Sequence, residues 1–159
     1  IEIDNLETDN NTDIDNIVSN YKNSPEIIES SNPKAYYSPL RDCVHLPKKN
    51  YFNSLEEYAS TLFHELIHST GHSDRLSREE IYSPEFSFGS HGYGREELVA
   101  ELGASFLTAK CNMTNSVINN QVSYIKNWKN AIKEDNNILL WAASRAEKAY
   151  DHIINGQPL

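Results

Sequence analysis

Scarcities in this chain narrow its class before any motif does. Two cysteines, Cys43 and Cys111, in 159 residues are too few for a disulfide framework. We expect them to be free, buried thiols packing as small apolar side chains. At this length one domain can bury a real core without covalent staples. No apolar run approaches the about 20 residues of a membrane-spanning helix, and no charged-then-apolar leader opens the chain. Positive charge is scarce as well: 14 Lys and Arg against 23 Asp and Glu leave a net −9. That balance argues against a domain that grips a phosphate backbone by itself. The chain opens on Ile1 instead of Met, so we expect a segment of a longer protein. It carries no internal repeat.

What is present centres on Ser54 to Gly71, SLEEYASTLFHELIHSTG. Ser54 followed three residues later by Glu57 is a capping box that predicts a helix start. Leu55, Tyr58, Ala59, Leu62, Phe63, Leu66 and Ile67 recur at helical spacing as one apolar stripe. His64 and His68 fall opposite the centre of that stripe, one turn apart, with Glu65 beside them. His64-Glu65-Leu66-Ile67-His68 is HExxH: two metal ligands and a general base on one helix face. Chance histidines on a surface helix are the bland alternative. The cap, the far-side stripe and the terminal Gly71 make a metal site the better reading.

Residues 1–32 read as an acidic linker with a short helix over 13–21, partly flexible, and 33–159 as the functional domain. Ile14, Ile17 and Val18 share one side of that short helix. Glu26 to Ser30 suits a first strand, and residues 35–38 and 43–46 a hairpin closed by Pro39-Leu40-Arg41-Asp42. His45, on the second of these strands, is expected to make an ordinary hydrogen bond. Residues 82–94, rich in glycine and aromatics, read as a long loop walling the cleft. Arg95 to about Lys110 predicts a second helix, with Glu97, Glu101, Ala104 and Thr108 on one side and Val99, Leu102 and Phe106 on another. Gly103 and Ala104 would let a neighbouring helix approach. A further helix is expected over about 120–134. A last one follows Asp135-Asn136-Asn137, with Leu139, Ala142, Ala143, Ala146, Ala149, Tyr150 and Ile153 as its stripe.

Two histidines leave a catalytic zinc one protein ligand short of the usual three. Glu97 offers a third, with Glu101 one turn on to support a ligating histidine. This EELVAE pattern resembles the gluzincins. Read instead as HExxHxxGxxD, the stretch resembles the metzincins, with Asp74 as the third ligand. Met113, the one methionine, sits in a polar connection and is a poor methionine turn. We favour Glu97. The acidic first turn of that helix also fits the helix dipole, which accounts for Glu96 but poorly for Glu101.

AYYSP, RDCVHLP, EEYASTLFHELIHSTGHSDRL and GREELVAELGASFL, in that order and spacing, resemble the C-terminal zincin-like metallopeptidase domain of ArdC-type antirestriction proteins and of phage and plasmid polyvalent proteins. The later WAASRAEKAYDHI is similar to that family's closing helix. The resemblance covers about residues 33–154. It implies a zinc (Zn2+) site of His64, His68 and Glu97, Glu65 as catalytic base, and a cytoplasmic, bacterial setting on a mobile element. Full-length members also carry an N-terminal domain that binds single-stranded DNA. Residues 1–32 are too short and acidic for that, so direct DNA binding by this chain is not expected, nor any membrane association.

The expected fold is α+β, zincin-like: a small, mainly antiparallel sheet packed on the HExxH helix, with further helices. The expected activity is metal-assisted hydrolysis of a protein or peptide, Glu65 taking the proton of the attacking water. Tyr93, His91 and Tyr82, in that order, are candidates to steady the developing oxyanion. His72 is a candidate to orient substrate or a carboxylate, or to cap the helix. The alternative is a metal-stabilised, non-catalytic module that binds restriction or host proteins.

Overall fold

The computed structural model describes residues 2–82, 91–113 and 137–156, with side chains described over 11–82, 94–113 and 137–156. Along the chain run α1 (Glu2–Asn20), β1 (Glu26–Ser30), β2 (Tyr36–Ser38), β3 (Cys43–Pro47), α2 (Leu55–Ser69), α3 (His91–Lys110) and α4 (Ile138–Asn155). Short 3-10 turns lie at Lys49–Tyr51 and Glu79–Tyr82. The helix expected over 120–134 lies outside the described residues.

Helix α2 starts where its cap dictates. Ser54 Oγ accepts the Glu57 N–H at 3.1 Å. The Glu57 carboxylate reaches back to Asn53, accepting its backbone N–H at 2.9 Å and its side-chain amide at 2.8 Å. Such a cap contributes about 1 kcal/mol. The helix ends at Thr70 in a right-handed conformation. Gly71 follows directly, at the helix end as expected, and is not among the positive-φ residues.

Helix α1 begins at Glu2, inside the stretch expected to be linker. Ile14, Ile17 and Tyr21 then bury against the same core as α2. The sheet has the order β1-β3-β2 among the described residues. The expected hairpin is present, Tyr36 opposite His45 and Ser38 opposite Cys43. β1 adds to the other side of β3 in parallel, Glu26 opposite Cys43 and Ser30 opposite Pro47, so the sheet is mixed and not mainly antiparallel. That leaves β3 central, and its Val44 and Leu46 are wholly buried.

One core joins these layers: Leu62, Phe63, Leu66 and Ile67 of α2, Val99, Ala100 and Leu107 of α3, and Ala142, Ala146, Ala149 and Ile153 of α4. Ile138, not Leu139, starts the buried stripe of α4; Leu139 is 37% exposed. Phe106 also faces outward, its ring edge-on to Tyr150 at 6.3 Å. Cys43 and Cys111 are free and buried, as expected.

Arg75 locks the hairpin to the end of α2. Nearly inaccessible, it donates from Nε to Ser69 O at 2.7 Å and from Nη1 to Asn23 O at 2.8 Å. The same guanidinium forks onto Asp42 and reaches the Tyr37 hydroxyl at 3.2 Å. Five donors on one rigid plane suit this task as no lysine would. The segment after α2 is thereby fixed beside β2, and both border the same cavity.

Candidate metal centre

Two helices, each contributing residues one turn apart, build the site. On α2, His64 and His68 present their rings to α3, where Glu97 and Glu101 face them. His64 Nε2 and His68 Nε2 are 3.1 Å apart. Glu97 bridges them, Oε2 at 3.4 Å from His64 Nε2 and Oε1 at 3.2 Å from His68 Nε2. Donors about 2.0–2.2 Å from a tetrahedral ion lie roughly 3.3–3.6 Å from one another. The two Nε2 atoms and the Glu97 carboxylate, one oxygen near each ring, are thus gathered closely enough for one divalent ion, each residue offering an atom within 4.8 Å of the others, and the imidazole and carboxylate chemistry suits such an ion.

The other ring nitrogens are held by carboxylates. His64 Nδ1 lies 3.3 Å from Glu101 Oε1, and His68 Nδ1 3.3 Å from Glu96 Oε1. Burial works against protonating either imidazole, but the carboxylates outweigh it. Glu101 and Glu97 lift His64 to about 10, and Glu96 and Glu97 lift His68 to about 9. Glu97 is itself held well below the usual carboxylate range: burial opposes this, and hydrogen bonds from His64 and His68 overcome it. Four carboxylates, those of Glu65, Glu96, Glu97 and Glu101, thus act on the two imidazoles.

A cavity of about 180 Å³ opens over these groups. His64, Glu65, His68 and Glu97 line it from the helices, Tyr37 and Pro39 from the hairpin, and Ile81 from the turn after α2. Glu65 is buried, and its carboxylate adds negative charge at His64.

The other sequence candidates are placed elsewhere. Asp74 is outside the cluster, its side chain 81% exposed, with a long pairing to His72 Nδ1 at 3.8 Å and a 3.5 Å contact from Ser73 Oγ. His72 accepts the Asp74 backbone N–H at 3.2 Å and packs edge-on to Tyr82. Tyr82 is spent on the Ser73 backbone N–H, 3.0 Å away. His45 stacks on Tyr36 and meets Cys43 Sγ at 3.4 Å, an ordinary strand role. Residues 91–94 belong to α3, so the expected loop to Gly94 ends sooner; the side chains of His91 and Tyr93 lie outside the described residues.

Glu96 corrects the sequence reading. It is not a solvated first-turn residue but is wholly buried, gripped by Arg78 Nε at 3.0 Å and Nη2 at 2.6 Å. The signal for this lies in the helical period. Glu96, Val99, Ala100, Gly103 and Leu107 fall on one face, and the other four are small or apolar.

Fold and site together define a zincin. The chain belongs to the zincin-like metallopeptidase family, whose model matches residues 13–145. It is similar to ArdC, the antirestriction protein of plasmid R388, in its Mn(II)-bound structure: TM-score 0.71 and 34% identity over 91% of this chain and 51% of that one. The metal-free ArdC structure matches with a TM-score of 0.65 and 32% identity, over 89% of this chain and 48% of that one. Among curated relatives, a DNA primase TraC of Escherichia coli is 36% identical over 121 residues, 76% of this chain but 11% of the primase. An uncharacterized protein, y4eC, of Sinorhizobium fredii is 31% identical over 78% of this chain and 39% of its own length. The chain thus spans a small part of the curated relatives and about half of ArdC. Among the described residues no helix is long and apolar enough to cross a membrane.

Proposed function

We propose that the chain is a metal-dependent peptidase domain in which His64, His68 and Glu97 hold one divalent ion and Glu65 is the general base. The observation that carries this reading is the convergence of the two Nε2 atoms, 3.1 Å apart, on the Glu97 carboxylate, which puts one oxygen within 3.4 Å of each ring, with Glu65 in the same cavity. Zinc suits a His, His, Glu donor set, and the Mn(II) bound by ArdC makes manganese the second ion to test. When bound, the ion supplies Lewis acidity toward a water and a scissile carbonyl. Glu65 takes the water's proton as the new C–O bond forms and returns it to the departing amine as the C–N bond breaks. Glu97 would turn its carboxylate from the two imidazoles to the ion, and Glu101 holds His64 through its far nitrogen. Position 93 lies one turn before Glu97 on α3, so Tyr93 remains the first choice to steady the carbonyl oxygen, with His91 next.

The substrate is a protein or peptide, and the parent protein is an ArdC-like antirestriction or polyvalent protein of a mobile element. With a net −9, this segment does not grip DNA itself. A second reading is favoured by the antirestriction function named for ArdC, which does not of itself require hydrolysis. It makes the domain a metal-stabilised module that occludes restriction or host proteins. Zinc and manganese content of the purified chain, measured beside cleavage of a broad peptide library, tests both. Metal with cleavage supports the peptidase; metal without cleavage supports the binding module; no metal defeats both.

A further inference from the structure

Arg78 and Glu96 form a buried ion pair for which the hydrolysis proposed above has no use. Glu96 is 0% exposed and Arg78 6%. Taking both charges out of water costs several kcal/mol per ion, and well-packed apolar residues commonly stabilise a fold as well or better. Stability alone therefore gives no reason for the pair. Its contacts give one.

Arg78 spends its guanidinium on three partners. Nη1 donates to Thr70 Oγ1 at 2.7 Å and Nη2 to Ile67 O at 2.8 Å, both at the C-terminal end of α2. Nε and Nη2 hold the Glu96 carboxylate from α3. Glu96 Oε1, so fixed, faces His68 Nδ1 at 3.3 Å. A carboxylate there accepts a hydrogen bond from Nδ1, which keeps that hydrogen on Nδ1, so that the proton given up to a metal ion is the one on Nε2, facing His64 and Glu97.

Gly71 completes the arrangement. A β-carbon there would stand 3.2 Å from Arg78 Cζ and Nη2 and 3.1 Å from Ile81 Cγ2. Its backbone is not in the left-handed region, so glycine is needed for space and not for conformation. The Arg78 N–H returns to Gly71 O at 2.9 Å, closing the loop onto the helix end.

We propose that Arg78 and Glu96 are positioning residues that fix the ring and tautomer of His68 for a metal ion, and that Gly71 makes the seat for Arg78. This rests on the reading of His68 as a ligand. Through Ile81, three residues past Arg78, the same seat also sets one wall of the cavity.

The test uses the full chain and three variants: Arg78→Met/Glu96→Gln, Gly71→Ala and, as a control, His64→Ala. The double variant removes both charges, so neither is left buried and unpaired. Zinc affinity is measured by chelator competition, ligand geometry by the visible spectrum of the cobalt-substituted protein, and stability by thermal unfolding without metal. We expect the double variant to unfold near the wild-type temperature yet bind zinc ~10–100-fold more weakly, as lost outer partners do, with a changed cobalt spectrum. Gly71→Ala, which keeps both charges, should move affinity and spectrum in the same direction by less. It also decides the matter should the double variant fail to fold. Wild-type affinity and an unchanged spectrum in a folded variant overturn the proposal while leaving the metal centre intact. Loss of zinc only in His64→Ala overturns it in the same way. A wild-type chain that takes up neither zinc nor cobalt overturns this proposal and the metal-centre reading together.

Discussion

Gly103 of α3 lies so close to Ile67 of α2 that a β-carbon at 103 would stand 2.6 Å from Ile67 Cδ1 and 2.8 Å from its Cγ1. Ile67 is wholly buried and has nowhere to go. The contact lets the two helices approach until the histidines of one meet the glutamates of the other. Replacing glycine by alanine within a helix ordinarily gains up to about 1 kcal/mol. At Gly103 overpacking outweighs that gain, and Gly103→Ala should cost about 1–3 kcal/mol. It should also weaken metal binding, because Glu97 and Glu101 move with α3. Urea unfolding and zinc titration check both effects; a stabilised variant with unchanged zinc affinity contradicts this view of the helix approach.

The parts of this site that are legible in the sequence are those set within one helix. Ser54 and Glu57 mark the start of α2, HExxH places three site residues, and Glu97 with Glu101 repeats the one-turn spacing. Partnerships across the fold are not legible. Arg75 sits in a polar loop, and nothing local reveals that Asp42, Asn23 and Ser69 converge on it. The parallel pairing of β1 with β3 likewise depends on where the chain returns, not on the pattern of either strand. Glu96 is a different case, because two local signals conflict there. Its period places it on the buried face, while its charge suits an exposed first turn equally well. Only Arg78, distant in sequence, decides between them.

The assignment of the third ligand separates Glu97 from Asp74. Glu97→Ala should abolish most zinc binding, and Glu101→Ala should weaken it ~10–100-fold. Asp74→Ala should change nothing, since its side chain is 81% exposed and outside the cluster. Metal analysis of the three purified variants decides; loss of zinc from Asp74→Ala alone reverses the assignment.

Asp42 governs part of the acid sensitivity. Partial burial pushes its carboxyl up, but the Arg75 guanidinium and the Tyr37 hydroxyl overcome this and hold it below its ordinary value. A depressed carboxyl stabilises the fold above its unfolded pKa of about 3.9. That contribution is lost as pH falls through the lower folded value. Asp42→Asn should therefore be less stable than wild type near neutrality, and the gap should narrow below about pH 4. Unfolding temperatures followed from pH 7 to pH 3 test this; a gap that widens on acidification contradicts it.

Glu65 bears on the central claim most directly. It lines the cavity beside His64, His68 and Glu97 without belonging to the set of mutually close donors. Glutamine keeps the size of the side chain but cannot accept the water's proton, and a positioned general base is worth ~10²–10⁴ in rate. The measurement is cleavage of a peptide library by wild type and Glu65→Gln at matched metal content and matched unfolding temperature. A general base at Glu65 predicts that wild type cleaves and that Glu65→Gln is slower by at least ~100-fold while retaining its metal and its fold. Equal cleavage by the two, or a metal-loaded wild type that cleaves nothing, would contradict it.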